Sequence, residues 1–333
     1  MKSHSIIPIF LPELGCPKQC VFCNQRHISG QHSVPDADEV KNNIEQHLST
    51  LKGRDIITEL AFFGGSFTAL DSTLQTQFLE IAQPYLQNKS ISNIRISTRP
   101  DAITDENLQL LNQYGVSIIE LGVQSLDDEV LRLSGRGYTS AVVYEAAEKI
   151  IKHGFTLGMQ MMIGLPGSTP EKDLLTAKEI IRCGAKGTRI YPLLVFRDTD
   201  LEQLYTNNEY TPLTVEEAIE QSADLLELFL DADVQVYKIG LHPSEFLDNG
   251  TLLAGPWIPA LRQHVQARVW QWKFDKKISS DHSIKGFVVH PSDINSAVGP
   301  NRCNAKYFKE KEVPLLFRTD PLLNKGDFYA FYS

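Results

Sequence analysis

Apolar residues recur along the first two-thirds of the chain in two alternating rhythms. Short runs rich in Ile, Leu, Val and Phe begin near Ile6, Ile57, Ile94, Ser117, Thr156 and Thr188, and they predict strands. Between them, residues 36–51, 72–86, 104–113, 140–153, 170–183 and 214–230 place apolar side chains three and four apart, which predicts amphipathic helices. Several of these segments follow a Ser, Thr or Asp able to cap a first turn. Strand and helix in alternation predict parallel βαβ units with right-handed crossovers. Six such units predict an α/β fold, a partial TIM-type (β/α)6 barrel over residues 1–240, with its chemistry at the C-terminal ends of the strands.

The residues just after the predicted strands bear this out as a pattern. Gly15 to Cys23 follow the first strand, and Gly64-Gly65-Ser66-Phe67-Thr68 close the second. Ser97-Thr98-Arg99-Pro100-Asp101 close the third and Gly122-Val123-Gln124-Ser125 the fourth. Gly164-Leu165-Pro166-Gly167 and Tyr191-Pro192-Leu193 end the last two. Polar or glycine-rich turns thus gather on one rim.

Beyond about Leu241 the rhythm changes, and residues 241–333 read as a small α/β C-terminal domain. A helix-like segment runs to Gln271, followed by strand-like runs over 272–278 and 285–290. A short helix over 292–298, the turn Gly299-Pro300-Asn301-Arg302, a helix over 303–311 and a strand over 314–319 follow. That order, αββααβ, is similar to a type II KH fold, whose GXXG loop clamps nucleic-acid backbone; here Arg302 stands in place of the second glycine. The other reading of this segment is a cap that closes the barrel over its substrate.

Composition changes the picture in three ways. The 333 residues are 42% hydrophobic and 22% charged, values of an ordinary globular chain long enough to bury a core without disulfides. No run approaches the roughly 20 apolar residues that span a bilayer, and the start lacks a signal-peptide stretch, so a cytoplasmic protein is expected with no membrane partner. The net charge of −9 is uneven: residues 257–333 hold 12 Lys and Arg against 7 Asp and Glu, and the first 256 hold 20 against 34. A basic tail on an acidic body points to an anionic partner for the tail.

Of five cysteines, three stand within eight positions, Cys16, Cys20 and Cys23. An odd total in a reducing compartment argues against a disulfide framework, and thiols this close suit a metal. Three thiolates are one short of a structural zinc site or of an ordinary four-cysteine iron–sulfur cluster. The alternatives are a zinc site completed by a histidine such as His27, or three unligated thiols.

The CxxxCxxC loop after the first strand, with Phe22 before its last cysteine, resembles the radical S-adenosylmethionine superfamily. The runs from Phe62 to Thr68, Thr98 to Asp101, Glu120 to Ser125, Arg136 to Thr139 and Arg189 to Thr199 are together similar to the radical domain of the Elongator catalytic subunit. Oxygen-independent coproporphyrinogen III oxidase is a more distant likeness. The likeness covers roughly residues 5–240.

The resemblance implies that Cys16, Cys20 and Cys23 hold a 4Fe-4S cluster with one open iron, on which S-adenosylmethionine is cleaved to a 5′-deoxyadenosyl radical. An external one-electron reductant, flavodoxin- or ferredoxin-like, is implied with it. Gly64, Gly65 and Ser66 would meet the amino end of S-adenosylmethionine, and Arg136 its carboxylate through a guanidinium fork. Ser97, Gln124 and Gln160 would bind the ribose, and Phe22 and the backbone at Leu193 would border the adenine. Two departures stand out: Ser97 replaces the family's usual Glu, and the residues past the barrel are too few for an acetyltransferase domain. An RNA substrate, gripped by residues 257–333, and a small metabolite under a C-terminal lid are the two substrate readings, and a barrel kept as a non-catalytic RNA-binding scaffold is a third.

Overall fold

A computed structural model describes residues 3–11, 16, 20–23, 34–241, 250–281, 283–313 and 315–332. In chain order the barrel comprises β1 (Ser3–Leu11), α1 (Ala37–Leu51), β2 (Ile56–Gly64), α2 (Ser72–Gln87), β3 (Asn93–Thr98), α3 (Asp105–Gln113), β4 (Val116–Gln124), α4 (Asp128–Leu133) and α5 (Ser140–Lys152). It continues with β5 (Thr156–Ile163), α6 (Pro170–Arg182), β6 (Gly187–Pro192), β7 (Val195–Phe196), α7 (Asp200–Thr206), α8 (Val215–Asp231) and β8 (Gln235–Ile239). Then come β9 (Leu252–Ala254), α9 (Leu261–Ser280), β10 (Gly286–Val289), α10 (Ile294–Val298), α11 (Cys303–Glu310), β11 (Leu316–Thr319) and β12 (Phe328–Phe331).

Seven strands pair in parallel in the order β1-β2-β3-β4-β5-β6-β8. The six expected strands are all present, and β8 adds a seventh that its five residues, with only Val236 and Ile239 in the core, did not announce. Alternation along each strand sorts the side chains by face. One face sends Ile7, Leu60, Phe62, Ile96, Leu121, Met159 and Ile190 into the main core under the helices. The other carries polar groups into the lumen. Caps fix the helix starts: Asp36 and Thr214 form capping boxes with Glu39 and Glu217, and Thr104 and Thr169 accept bonds from the backbone at Asn107 and Lys172.

The C-terminal segment departs from the expected αββααβ order. Residues 272–278, expected as a strand, continue α9, a single helix of 20 residues. Trp272, Phe274 and Ile278 do alternate as in a strand, yet Trp270, Phe274 and Ile278 also recur four apart, and no breaker separates them from the helix before. The three-stranded sheet is instead completed by β12, antiparallel to β10, while β11 pairs parallel on its other side. The element order is therefore not the αββααβ of a type II KH fold. In the Gly299–Arg302 turn, Asn301 and Arg302 adopt left-handed conformations (φ 51° and 60°).

Helix α9 ties the units together. Leu261, Val265 and Val269 join the main core, and Trp270, Phe274 and Ile278 join a second, aromatic one. Neighbouring positions 269 and 270 point about 100° apart, so one helix serves two cores from two stripes.

Candidate functional site

The rim of the sheet holds a cavity of about 270 Å³, lined by Cys16, Cys20, Phe22, Cys23, Gly64, Gly65, Ser97, Thr98, Arg99, Gly122, Gln124, Arg136 and Gln160. Ten of the twelve site residues expected from the sequence meet here. Ser66 and Leu193 do not reach the lining. The Ser66 hydroxyl is engaged by Thr98 Oγ1 (2.8 Å) and accepts a bond from the Arg99 amide (3.1 Å). Leu193 packs with Val130, Leu165 and Val195 in a small cluster against which Phe22 leans. His27 and its neighbours lie outside the described residues.

Each lining group is placed by a local device. The Cys20–Cys23 turn closes through the Cys23 amide on the Cys20 carbonyl (2.9 Å), and the Val21 carbonyl accepts from the Leu201 amide (2.8 Å). Gly64 ends β2 at φ 105°, and a Cβ there would stand 2.8 Å from the Leu11 carbonyl oxygen, so the crossing over β1 requires glycine. Burial pushes the Cys16 thiol up, against the pull of the Arg99 and Arg136 guanidiniums.

Gln124 sits where the β4–β5 register slips, in a left-handed conformation (φ 70°), which costs a non-glycine residue roughly 1 kcal/mol or more. Its buried Oε1 has no hydrogen-bond partner. A strained residue with an unspent acceptor in a cavity is a group arranged for a ligand.

Arg136 is 5% exposed. Its Nε and Nη2 donate to the Tyr138 hydroxyl oxygen (2.8 and 2.6 Å), Nη2 also to the Gly122 carbonyl, and Nη1 to Cys20 Sγ (3.0 Å). The Tyr138 hydroxyl in turn donates to the Gly122 carbonyl (2.9 Å). Burial opposes the charge, but the Tyr138 oxygen and the Cys20 sulfur hold the guanidinium firmly protonated. Among the described residues no carboxylate pairs with it. Arg99 beside it does have one, Asp101, through two bonds of 2.9 Å, and its Nη1 lies 3.8 Å from Cys20 Sγ. Two cations therefore face the cysteines, and one carboxylate offsets them.

Beneath the cavity the lumen carries a ladder of charge. Arg95 joins Glu59 (2.7 and 3.0 Å) to Glu120 (2.6 Å), and Arg189 clasps Glu120 from the other side (2.5 and 3.0 Å). Gln160 Nε2 donates to Glu120 Oε2 (3.1 Å) and to Ser97 Oγ (3.2 Å). Both amide hydrogens being engaged, Gln160 can offer its carbonyl oxygen to the cavity, and Ser97 keeps a hydroxyl hydrogen to donate. On the far wall the loop after β5 is pinned by Tyr210, whose hydroxyl donates to the Gly164 carbonyl (2.7 Å), and by Asp173, which accepts from Ser168 Oγ (2.6 Å). Burial lifts the Asp173 carboxyl to about 6.

Sequence reasoning missed Tyr138 and Glu120 as parts of this site. Both stand inside motif runs, two residues after Arg136 and at the head of the run to Ser125, and that adjacency is the signal that could have found them.

The fit of a cluster and a sulfonium nucleoside to this cavity rests on its donor set. Three thiols share one cavity, although among the described residues no three His, Cys, Asp or Glu side chains converge closely enough to hold a single ion. A buried cation without a carboxylate and an amide oxygen without a donor, both among the described residues, are the complements of an anionic cluster with an amino-acid carboxylate, and of a hydroxyl. The residues present fit.

Family models agree with this geometry. One described as the radical SAM superfamily matches residues 12–180, and one described as the radical SAM C-terminal domain matches residues 185–271. The tRNA uridine(34) acetyltransferase of Dehalococcoides mccartyi is 28% identical over 239 residues, 62% of this chain and 52% of that protein. Elongator complex protein 3 of Schizosaccharomyces pombe is 33% identical over 149 residues, 44% of this chain and 27% of its own. The solved structure of the archaeal Elp3 of Methanocaldococcus infernus superposes with a TM-score of 0.65 at 21% identity, covering 84% of this chain and 64% of that one, a likeness of fold. The chain spans about half the length, or less, of these two curated relatives.

Proposed function

We propose, for a chain that belongs to the radical S-adenosylmethionine superfamily, that the rim cavity is the site of reductive S-adenosylmethionine cleavage and that the radical produced there is spent on RNA. The family's members are enzymes that bind a 4Fe-4S cluster and S-adenosylmethionine. When bound, these supply a 5′-deoxyadenosyl radical in return for one electron from an external reductant. The remaining work falls to this chain's residues.

Cys16, Cys20 and Cys23 would hold the cluster. Arg136 would meet the cofactor's carboxylate with a charge that no carboxylate among the described residues answers, and Gly64 and Gly65 leave room for its amino end. Gln124 and Gln160 would accept from the ribose hydroxyls and Ser97 would donate to them. Phe22 would cover the adenine. Tyr138 and Asp101 keep the two guanidiniums aimed at the cysteines.

The observation that carries the cofactor reading is the meeting, on one cavity, of three thiols, an unanswered guanidinium and an unspent amide oxygen. The RNA reading leans on relatives named for tRNA modification and on the basic balance of residues 257–333. The test is anaerobic: reconstitute with iron and sulfide, reduce, add S-adenosylmethionine, and quantify 5′-deoxyadenosine with and without bulk tRNA. Wild type should form it and Cys20→Ala should not. No cluster and no cleavage in the wild type would defeat the reading. Cleavage indifferent to tRNA at low and high salt would move the substrate to a small metabolite.

A further inference from the structure

The lumen ladder is electrically closed except at one end. Glu59 and Glu120 match Arg95 and Arg189, each carboxylate within 3.0 Å of a guanidinium nitrogen. At the open edge of the sheet, on β8, stands Lys238. In the β6–β8 pairing, Thr188 faces Val236 while Arg189 faces Lys238, so Tyr237 is an extra residue in a bulge. The bulge turns Lys238 to the side of Arg189, inside the lumen, and returns Ile239 to the core opposite Ile190. Without it, alternation would have pointed this lysine out among the helices.

The bulge also accommodates Tyr237. Its ring lies across Gly187, where a Cβ would stand 2.0 Å from it, and the Arg95 guanidinium covers it at 4.4 Å. Gly158, opposite Gly187, likewise leaves room for the Glu120 side chain. These groups floor the lumen. Above the floor, Gln160, Arg189 and Lys238 stand in one row across β5, β6 and β8. Two strand spacings, roughly 10 Å, separate the cavity-lining Gln160 from Lys238.

Lys238 is half-buried and has no hydrogen bond or ion pair with any described residue. Burial, then Arg189 and Arg262, push its ammonium down. Arg262 is committed elsewhere, donating to the Val236 and Tyr237 carbonyls on the sheet edge (2.8 and 3.1 Å). The Glu120 carboxylate is taken by Arg95, Arg189 and Gln160. A cation held among cations, partly out of water and without a counterion among the described residues, binds an anion favourably as soon as one arrives.

We infer that Lys238, backed by Arg189, is an oxyanion subsite for the substrate, taking a phosphate or carboxylate group in the lumen on the open side of the cofactor cavity. The inference rests on the reading above that the rim cavity is the site of S-adenosylmethionine cleavage. The cofactor's own contacts gather on β1 to β5, so an anion on β8 belongs to a second molecule. Held there, that molecule would reach the cavity from the unpaired edge.

The test uses reconstituted protein and equilibrium dialysis with three probes: uridine, uridine 5′-monophosphate and citrate. An anionic probe should bind at least tenfold more tightly than uridine. Lys238→Met should erase that margin and Lys238→Arg should restore most of it. A margin for the nucleotide points to RNA or nucleotide phosphate, and one for citrate to a carboxylate metabolite. Equal binding of all three probes, or a margin that survives Lys238→Met, would overturn the inference. 5′-Deoxyadenosine formation by the reconstituted wild type, measured alongside, reads the cofactor site by itself. Its absence would count against the cofactor reading and leave the anion site to be judged by binding alone.

Discussion

The barrel that carries the rim cavity shares one helix with the C-terminal unit, and cavity and unit treat buried polar groups in opposite ways. In the C-terminal unit the buried polar groups of the described residues are met internally. Asn304 is buried, and its amide donates to the Ala267 and Ala297 carbonyls at 2.8 and 3.0 Å. Tyr307 donates to Asp275 at 2.8 Å, and among the described residues past 250 no buried side-chain polar atom lacks a partner. Its left-handed residues, Asn301 and Arg302, are exposed. The rim leaves its needs open: a strained Gln124, an unspent amide oxygen and a guanidinium without a carboxylate, all beside three thiols. Closed networks hold a fold in place, while open ones await a ligand. The difference locates function on the rim more firmly than any single residue does.

The comparison can be broken first at its stable end. Phe274 is fully buried, stacked on Phe287 at 4.3 Å and met edge-on by Phe328 and Phe308. Phe274→Ala should lower unfolding stability by about 3–5 kcal/mol in urea titrations. S-adenosylmethionine affinity below the melting range should be unchanged. A parallel fall in affinity would mean that α9 couples the two cores and that the contrast is false.

Arg136→Met probes the open end. S-adenosylmethionine affinity should fall roughly 100-fold, about 2.7 kcal/mol, while stability shifts by no more than about 1 kcal/mol, because a costly buried charge leaves with the contact. Calorimetric titration and urea unfolding read the two quantities separately. A large stability loss with affinity intact would make Arg136 a structural strut.

The smallest effect is the most discriminating. Gln124→Gly removes the left-handed strain and the amide together. Stability should rise by about 1 kcal/mol while S-adenosylmethionine affinity drops roughly tenfold. A melting temperature that falls would show that the amide serves the fold.

How far these contrasts were legible varies with the residue. The CxxxCxxC loop and the glycines after β2 were readable because they sit on contiguous stretches at strand ends, where any parallel sheet places its rim. Ser66 was readable only as backbone: its hydroxyl is committed to Thr98 and the Arg99 amide, which leaves its main chain to face the cysteine side. Tyr138 and Glu120 escaped because their importance lies in what they hold, Arg136 and Gln160, and not in their own chemistry.

The sequence by itself determined the alternation of strand and helix, the six strands it named, the rim on which chemistry gathers and the cysteines that lead it. All of these follow from periods of 2 and 3.6 residues and from short-range turn chemistry, which each segment carries alone. Tertiary structure alone decided that residues 272–278 continue a helix, that β12 and not an earlier strand completes the second sheet, and that a bulge turns Lys238 into the lumen. In each of these the local pattern suits more than one conformation. The choice is made by which neighbour can bury the apolar side chains or pair the backbone, and those neighbours are distant in sequence.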